Sequence, residues 1–333
     1  MAVTLLIIFY PILLAFVIVI SKKFNFVDNP SSRKIHQKPI PNTSGFALYL
    51  MLVYLISFEE MSYDIEYIIA QGSIIILVGF FDDRKNFTPG VKLCLILLPI
   101  LILVFEGYFL KNLGKYEFIG EVSLGKFSYI FTLLAVGLLI NSFNYIDGID
   151  GLLNGISLTS IVFFIFLNNL NEDYLNILLF LIYGLTINIF FNFLPIKNNF
   201  KCFMGDTGSL FLGFFISFMM IYLFTKKNIH PSYLIWAVWY PVYVFLSVNI
   251  FRLIKKKNIF QPDKIHFHHF ILKYFNNSHI KSFFFINIIN ILVLISGYIV
   301  AIKIGKVYSV FLFIFLFFVF FKIRYFFIKK LAS

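Results

Sequence analysis

Charge and cysteine are both scarce in this chain. Of its 333 residues only 13% are Asp, Glu, Lys or Arg, and just 16 residues are acidic. A content of 60% apolar and 20% aromatic residues, with mean hydropathy +0.89, excludes an ordinary soluble globule and predicts a multi-pass membrane protein. The two cysteines, Cys94 and Cys202, stand far apart with no CxxC pair. That excludes a disulfide framework and a cysteine zinc knuckle. There is no obvious internal repeat, and no matched Gly/Pro breaks in two halves, so an inverted-repeat transporter is disfavoured. Met1–Ile20 lacks both a basic start and a small-x-small cleavage site, and reads as a retained first helix.

What is present is a series of apolar segments at 3–20, 44–58, 65–81, 91–110, 127–146, 151–169, 174–194, 208–225, 233–251, 283–302 and 307–322. Each is long enough, or nearly so, to cross ~30 Å of hydrocarbon. The expected architecture is an all-α polytopic bundle of about eleven transmembrane helices, one integral-membrane domain over 1–333. The net charge of +12 does not point to nucleic acid, because the basic residues are interspersed at the segment ends. With the N-terminus outside, 21 of the 28 Lys and Arg fall in inner loops and 7 in outer ones, which predicts N-out, C-in. Seven acidic residues then share the inner side, all aspartates: Asp28, Asp82, Asp83, Asp147, Asp150, Asp206 and Asp263. Carboxylates at a bilayer rim are costly unless they face water, a cation or a partner. Their common depth predicts a metal-assisted site for a charged substrate on the cytoplasmic face.

The motifs carry different weights. Asp82-Asp83 closes the third segment, where negative charge opposes the helix dipole. Paired carboxylates are normally held by a cation or split in pKa. Asn141, Asn144 and Asp147 recur every three residues and share a helical face, and Gly148-Ile149-Asp150-Gly151 follows as a turn. Gly151 and Gly155 are a packing pair on the blander reading. Asp206, in Phe203-Met-Gly-Asp206-Thr-Gly-Ser209, reads either as an N-cap or as a ligand for a hard cation such as Mg²⁺. His266, His268 and His269 suit either Zn²⁺ or a diphosphate, with no Cys or Glu nearby to complete a tetrahedral zinc set. His230 and His279 read as incidental. Gly120–Lys126 has the spacing of a phosphate-binding loop, but Phe127 stands where Ser or Thr is required, and a hairpin turn is the better reading.

Taken in order, these motifs resemble the polyprenyl-phosphate N-acetylhexosamine-1-phosphate transferases, glycosyltransferase family 4, in the N-acetylglucosamine-type branch. The match runs from Arg33-Lys-Ile-His36-Gln-Lys38-Pro-Ile-Pro41 to His269. The resemblance implies a bacterial inner-membrane enzyme with a cytoplasmic cleft. Its partners would be a UDP-N-acetyl sugar, polyprenyl (undecaprenyl) phosphate and membrane lipids, with Mg²⁺ as cofactor, Mn²⁺ as a substitute, and a homodimer compatible with the bundle. It implies Asp206 as metal ligand and Asp82 as the residue that takes or positions the lipid phosphate's proton. Phe203 and Gly148-Ile149-Asp150 would form a uridine pocket with Asn192 nearby, and Lys38 and the His cluster would meet phosphates or sugar. Three departures stand out: Asn42-Thr-Ser-Gly45 replaces a Gly-Gly, Val244-Phe245 replaces an Asp-Thr, and the loop Ile196–Cys202 is longer than usual. The competing reading is a membrane transporter of a lipid-linked sugar or divalent cation, which would place acids mid-helix; Glu106 alone lies deep in a segment.

Overall fold

The computed structural model describes residues 2–30, 38–85, 87–167, 170–258 and 266–332. Arg33 to Gln37, Asp263 and Lys264 of the motifs lie outside them. The described chain is predominantly helical. In order it forms α1 (Ala2–Lys23), β1 (Val27–Asp28), β2 (Ile40–Pro41), α2 (Ser44–Phe58), α3 (Tyr63–Lys85) and α4 (Pro89–Phe105). A hairpin, β3 (Asn112–Tyr116) and β4 (Gly120–Ser123), precedes α5 (Ser128–Ile146), α6 (Leu152–Phe166), α7 (Glu172–Phe193) and α8 (Gly205–Thr225). The rest is α9 (Pro231–Leu234), a 3-10 turn at Ile235–Val238, α10 (Trp239–Ile254), α11 (Phe267–Tyr274), α12 (His279–Lys303) and α13 (Lys306–Ala332).

All eleven apolar segments fall on helices, and the short one at 44–58 is α2. Among the described residues seven helical stretches are long and apolar enough to span a membrane, while α2, α4 and α6 are shorter. A 15-residue helix such as α2 is only ~22 Å long, so length alone does not carry it across the hydrocarbon. The segment at 233–251 is broken by the 3-10 turn, and α11 is an additional amphipathic helix. Its apolar Phe267, Phe270 and Ile271 follow the i, i+3, i+4 pattern of one face. The strand pairs β1–β2 and β3–β4 are antiparallel additions to an otherwise all-α bundle. The Gly120–Lys126 stretch is part of a hairpin, but as its second strand β4 and the start of the 3-10 turn after it, not as the hairpin's own turn.

α8 is the axis of the bundle. It packs against α2, α3, α5 and α6, and its apolar window is 89% buried, against 11% for α13 at the periphery. A helix that is apolar all round belongs at a core, and Phe211, Phe214, Phe215 and Phe218 fill it here. Small residues let the backbones meet: a Cβ on Gly45 of α2 would collide with Gly208 of α8, and one on Gly79 of α3 would collide with Thr207. Gly45 belongs to the stretch that departs from the Gly-Gly pattern. Gly151 packs against Phe193 and Phe283, and Gly155 against Asn287 and Phe283, so that pair serves packing against α12 and α7.

Candidate active site

The ends of α3, α5 and α7 and the starts of α8 and α12 surround one open cleft of about 450 Å³. Six aspartates line it: Asp28, Asp82, Asp83, Asp147, Asp150 and Asp206. Helices that run in opposite directions thus deliver their acids to the same end of the bundle.

Asp83 explains how two acids close α3. Its carboxylate accepts the N–H groups of Asp206 (3.2 Å) and Thr207 (3.3 Å) and the Thr207 hydroxyl (3.1 Å). Asn42 donates to it from the other side at 3.1 Å. The charge that opposes the α3 dipole is therefore spent on the free N–H groups and positive end of α8. The residue flanking the start of α8 is Met204, and Asp206 lies in the first turn, so the N-cap reading of Asp206 gives way to a capping role for Asp83. Gly205, at φ +70°, makes the turn that brings the chain into α8 beside Asp83.

Freed from capping, Asp206 turns into the cleft. Asn144 donates to its Oδ1 at 2.7 Å and to the Ser209 hydroxyl at 2.9 Å. Lys92, near the start of α4, reaches its Oδ2 at 2.6 Å and Asp82 Oδ2 at 2.7 Å. The other Asp82 oxygen accepts the Phe87 N–H at 2.7 Å. One ammonium thus bridges two carboxylates from two helices, a charge-assisted arrangement that offsets their mutual repulsion.

The far end of the cleft is built differently. Asp150, in the α5–α6 turn, is paired with Lys201 at 2.7 Å. Its own N–H donates to His279 Nδ1 at 3.1 Å. Burial alone would raise the Asp150 carboxyl, but His279 and Lys201 together hold it below the ordinary range. The Lys201 ammonium is the nearer partner, at 2.7 Å against 3.4 Å for His279 Nδ1. Asn192 ties the walls, accepting the Gly151 N–H and donating to the Cys202 carbonyl at 2.8 Å. Phe203, Ile149 and Gly148 complete this end. Strand-like contacts between Pro41 and Phe203 and between Ser44 and Phe203 fasten it to the α2 entrance.

Of the residues singled out in sequence, Asp82, Asp83, Asp147, Gly148, Ile149, Asp150, Asn192, Phe203, Asp206 and His269 line the cleft. Asn144 reaches it through Asp206. Asn141 instead donates to the Gly137 carbonyl of its own helix at 2.7 Å, and Lys38 is exposed outside the lining. His268 is fully buried beneath Gly148, with neither ring nitrogen hydrogen-bonded. Burial, then His269 and His266, push its pKa well down. His266 is likewise lowered to about 3, by burial and then by His269 and two arginines. The rings of His266 and His268 stack 5.4 Å apart rather than converging, and among the described residues no group of three or more His, Cys, Asp or Glu is arranged as a metal site. That geometry disfavours the zinc reading of the cluster.

Sequence reasoning passed over Lys92 and Lys201, which it counted only as headgroup-facing charge, and His279, which is a cleft residue. His230 also has a role: its side chain caps α9 and its Nε2 meets the Lys115 carbonyl of the hairpin at 3.1 Å. Glu106 sits exposed at the C-terminal end of α4, not within it. The transporter reading loses its one deep acid.

The chain is similar to known proteins. A family model described as glycosyl transferase family 4 matches residues 65–224. An undecaprenyl-phosphate alpha-N-acetylglucosaminyl 1-phosphate transferase of Yersinia pestis is 32% identical over 259 residues, covering 75% of this chain and 70% of the relative. The protein of that name from Escherichia coli strain K12 is 31% identical over 262 residues, covering 76% and 71%. A Bacillus subtilis protein, named as a probable undecaprenyl-phosphate N-acetylglucosaminyl 1-phosphate transferase, is 32% identical over 291 residues, covering 84% and 78%. With relatives of this similarity over most of their length, the chain belongs to glycosyl transferase family 4.

Proposed function

We propose that this enzyme transfers an N-acetylhexosamine 1-phosphate, or a related N-acetyl sugar phosphate, from a UDP-sugar to undecaprenyl phosphate and releases UMP. The observation that carries the reading is the bridge of Asp82, Lys92 and Asp206 at one end of a cleft whose other end is walled by Phe203, Ile149 and Asp150. The first is suited to clustered phosphates and the second to a flat heterocycle. The topology that goes with it has eleven crossings, N-out and C-in. The cleft then opens to the cytoplasmic side of a bacterial inner membrane, and the product is the first lipid-linked intermediate of a cell-surface glycan.

The residues fit a hard divalent cation. Asp206 and Asp82 present carboxylate oxygens, the ligand type Mg²⁺ prefers, and a single positive group, the Lys92 ammonium, already lies within hydrogen-bond reach of both. When bound, Mg²⁺, or Mn²⁺ in its place, supplies positive charge to the phosphate oxygens. In the reaction an oxygen of the lipid phosphate attacks the sugar-bearing phosphorus. A new P–O bond forms, the bond from that phosphorus to the oxygen shared with the uridine-side phosphate breaks, and UMP leaves with the electron pair. A phosphate monoester has a second pKa of about 6 and is largely dianionic near neutrality, so no strong base is required. Both Asp82 oxygens are engaged, one by the Phe87 N–H and one by Lys92, which supports a positioning role. Lys92 is placed to meet developing charge on the transferred group, and Asn144 orients Asp206.

Purified protein given undecaprenyl phosphate and a panel of UDP-sugars tests the assignment, with the lipid product identified by mass and the nucleotide by chromatography. UMP should form in step with a lipid diphospho-sugar, and chelation should stop it. Asp206→Asn should retain the fold but lose more than a hundredfold in turnover, as a ~3 kcal/mol loss of transition-state stabilisation implies. UDP as the sole nucleotide product refutes the reaction, and full turnover in excess chelator refutes the role of the metal.

A further inference from the structure

Lys201 belongs to the loop whose length departs from the family pattern, and its side chain is buried deeper than any acid of the cleft. It is 5% exposed, against 16% for Asp150 and 29% for Asp206. A charged amine is taken out of water only when partners replace the water, and three do so here. Its ammonium lies 2.7 Å from Asp150 Oδ2, donates to the Asn192 main-chain carbonyl, and sits 5.6 Å from the centre of the Phe203 ring. The three partners come from three walls: the α5–α6 turn, the end of α7 and the lead into α8. All three residues line the cleft, as does Lys201 itself.

This arrangement fixes an orientation. With one Asp150 oxygen held by Lys201, the carboxylate plane is set and Oδ1 is the oxygen left to accept a hydrogen bond. The nearby His279 Nδ1 accepts the Asp150 N–H at 3.1 Å and lies 3.4 Å from Oδ1. The Lys201 ammonium lies over the Phe203 ring, a contact favourable to both partners. Main-chain edges of Gly148 and Ile149 close the remaining side.

We infer that Lys201 is a positioning residue for the nucleotide end of the donor, presenting Asp150 and Phe203 to the base from a loop rather than from a helix. The inference rests on the UDP-sugar donor proposed above and adds the residue that sets its affinity. Lys201 touches no reacting atom on this account. Its loss should fall on donor binding and leave the phosphate end of the cleft intact.

The experiment combines UMP binding by titration calorimetry with steady-state kinetics on the full-length protein. It uses the wild type, Lys201→Met, Lys201→Arg, Asp150→Asn and the double variant Lys201→Met/Asp150→Asn. Lys201→Met should weaken UMP binding about tenfold and raise the donor KM by a similar factor, the scale of one lost charge-assisted contact. kcat at saturating donor should change less than about threefold and the lipid-phosphate KM should stay put, the mark of lost uniform binding. Lys201→Arg, which keeps the charge, should recover part of the loss. If the pair acts as a unit, the double variant should bind UMP no more weakly than the weaker single one. Unchanged UMP affinity in Lys201→Met overturns the inference, as do fully additive effects. So does a fall of kcat and thermal midpoint with both KM values shifted alike, which is the signature of a merely structural role. A wild type that neither binds UMP nor uses any UDP-sugar overturns the donor assignment and this inference with it. A wild type that uses the donor while Lys201→Met matches it overturns this inference alone.

Discussion

Two lysines hold acids of the same cleft in opposite ways. Lys92 stands between Asp82 and Asp206, with its side chain 13% exposed. Lys201 is locked among a carboxylate, a carbonyl and a ring, each from a different wall. Lys92 therefore serves two anions whose demand for positive charge changes when phosphates arrive. Lys201 serves partners whose demand does not change. A site that must respond to a reacting group keeps its cation shared between anions, whereas a site that must only recognise keeps its cation saturated by fixed partners.

Removing Lys92 should produce the largest effect of the three tests that follow. Lys92→Met is expected to lower kcat about a hundredfold, because both the charge on the transferred phosphate and the Asp82–Asp206 bridge are lost. Lys92→Arg should recover only part, since a planar guanidinium does not replace a compact ammonium between two oxygens. Steady-state kinetics at saturating donor measure it. An effect confined to KM would make the two lysines equivalent and erase the comparison.

The scaffold beneath Lys92 comes next. Asp83→Ala removes the acceptor for two N–H groups and a hydroxyl at the start of α8. It should cost about 2–3 kcal/mol of stability, read as a lower thermal midpoint in detergent, with turnover lost as Asp206 moves. Asp83→Asn, which keeps an acceptor oxygen, should be milder. Equal midpoints for all three proteins would show that α8 does not depend on this cap.

The smallest effect belongs to His268, under the turn that carries Asp150. Its pKa is lowered by burial and by the two neighbouring imidazoles. The folded state therefore keeps the ring neutral, while the unfolded chain takes up a proton as pH falls through about 6.5. Stability is unaffected above that value and should decline below it, by at most about 1.4 kcal/mol per pH unit. His268→Leu should flatten the decline between pH 7 and 5.5 without sacrificing a hydrogen bond, because neither ring nitrogen makes one. An unchanged slope in the variant would assign the acid sensitivity elsewhere.

Much of this was legible in the sequence, for physical reasons that can be named. The aspartates stood out because a carboxylate at the end of an apolar run is costly and hence informative. Six of the seven grouped by loop charge line one cleft. The lysines were invisible on the same criterion, since a lysine at a helix end is the commonest headgroup contact and its burial depends on a partner far along the chain. Lys92 meets Asp206 across 114 residues. The division of labour between Asp82 and Asp83 was equally hidden, because it is decided by which carboxylate faces the start of α8. The break before α10 and the short α11 were missed for another reason: hydropathy windows respond to long apolar runs and pass over a 3-10 turn inside one.

The backbone meeting of Gly45 with Gly208, and of Gly79 with Thr207, bears on how this enzyme could change its preferences. A seam where backbone meets backbone leaves no room for an added side chain. The floor under Asp206 is consequently inelastic, and almost any replacement there must push whole helices apart. Diversification is channelled to the rim of the cleft, as at the start of α11, where His269 lines it. Variants selected for a new donor should accumulate their substitutions there and leave the seam untouched.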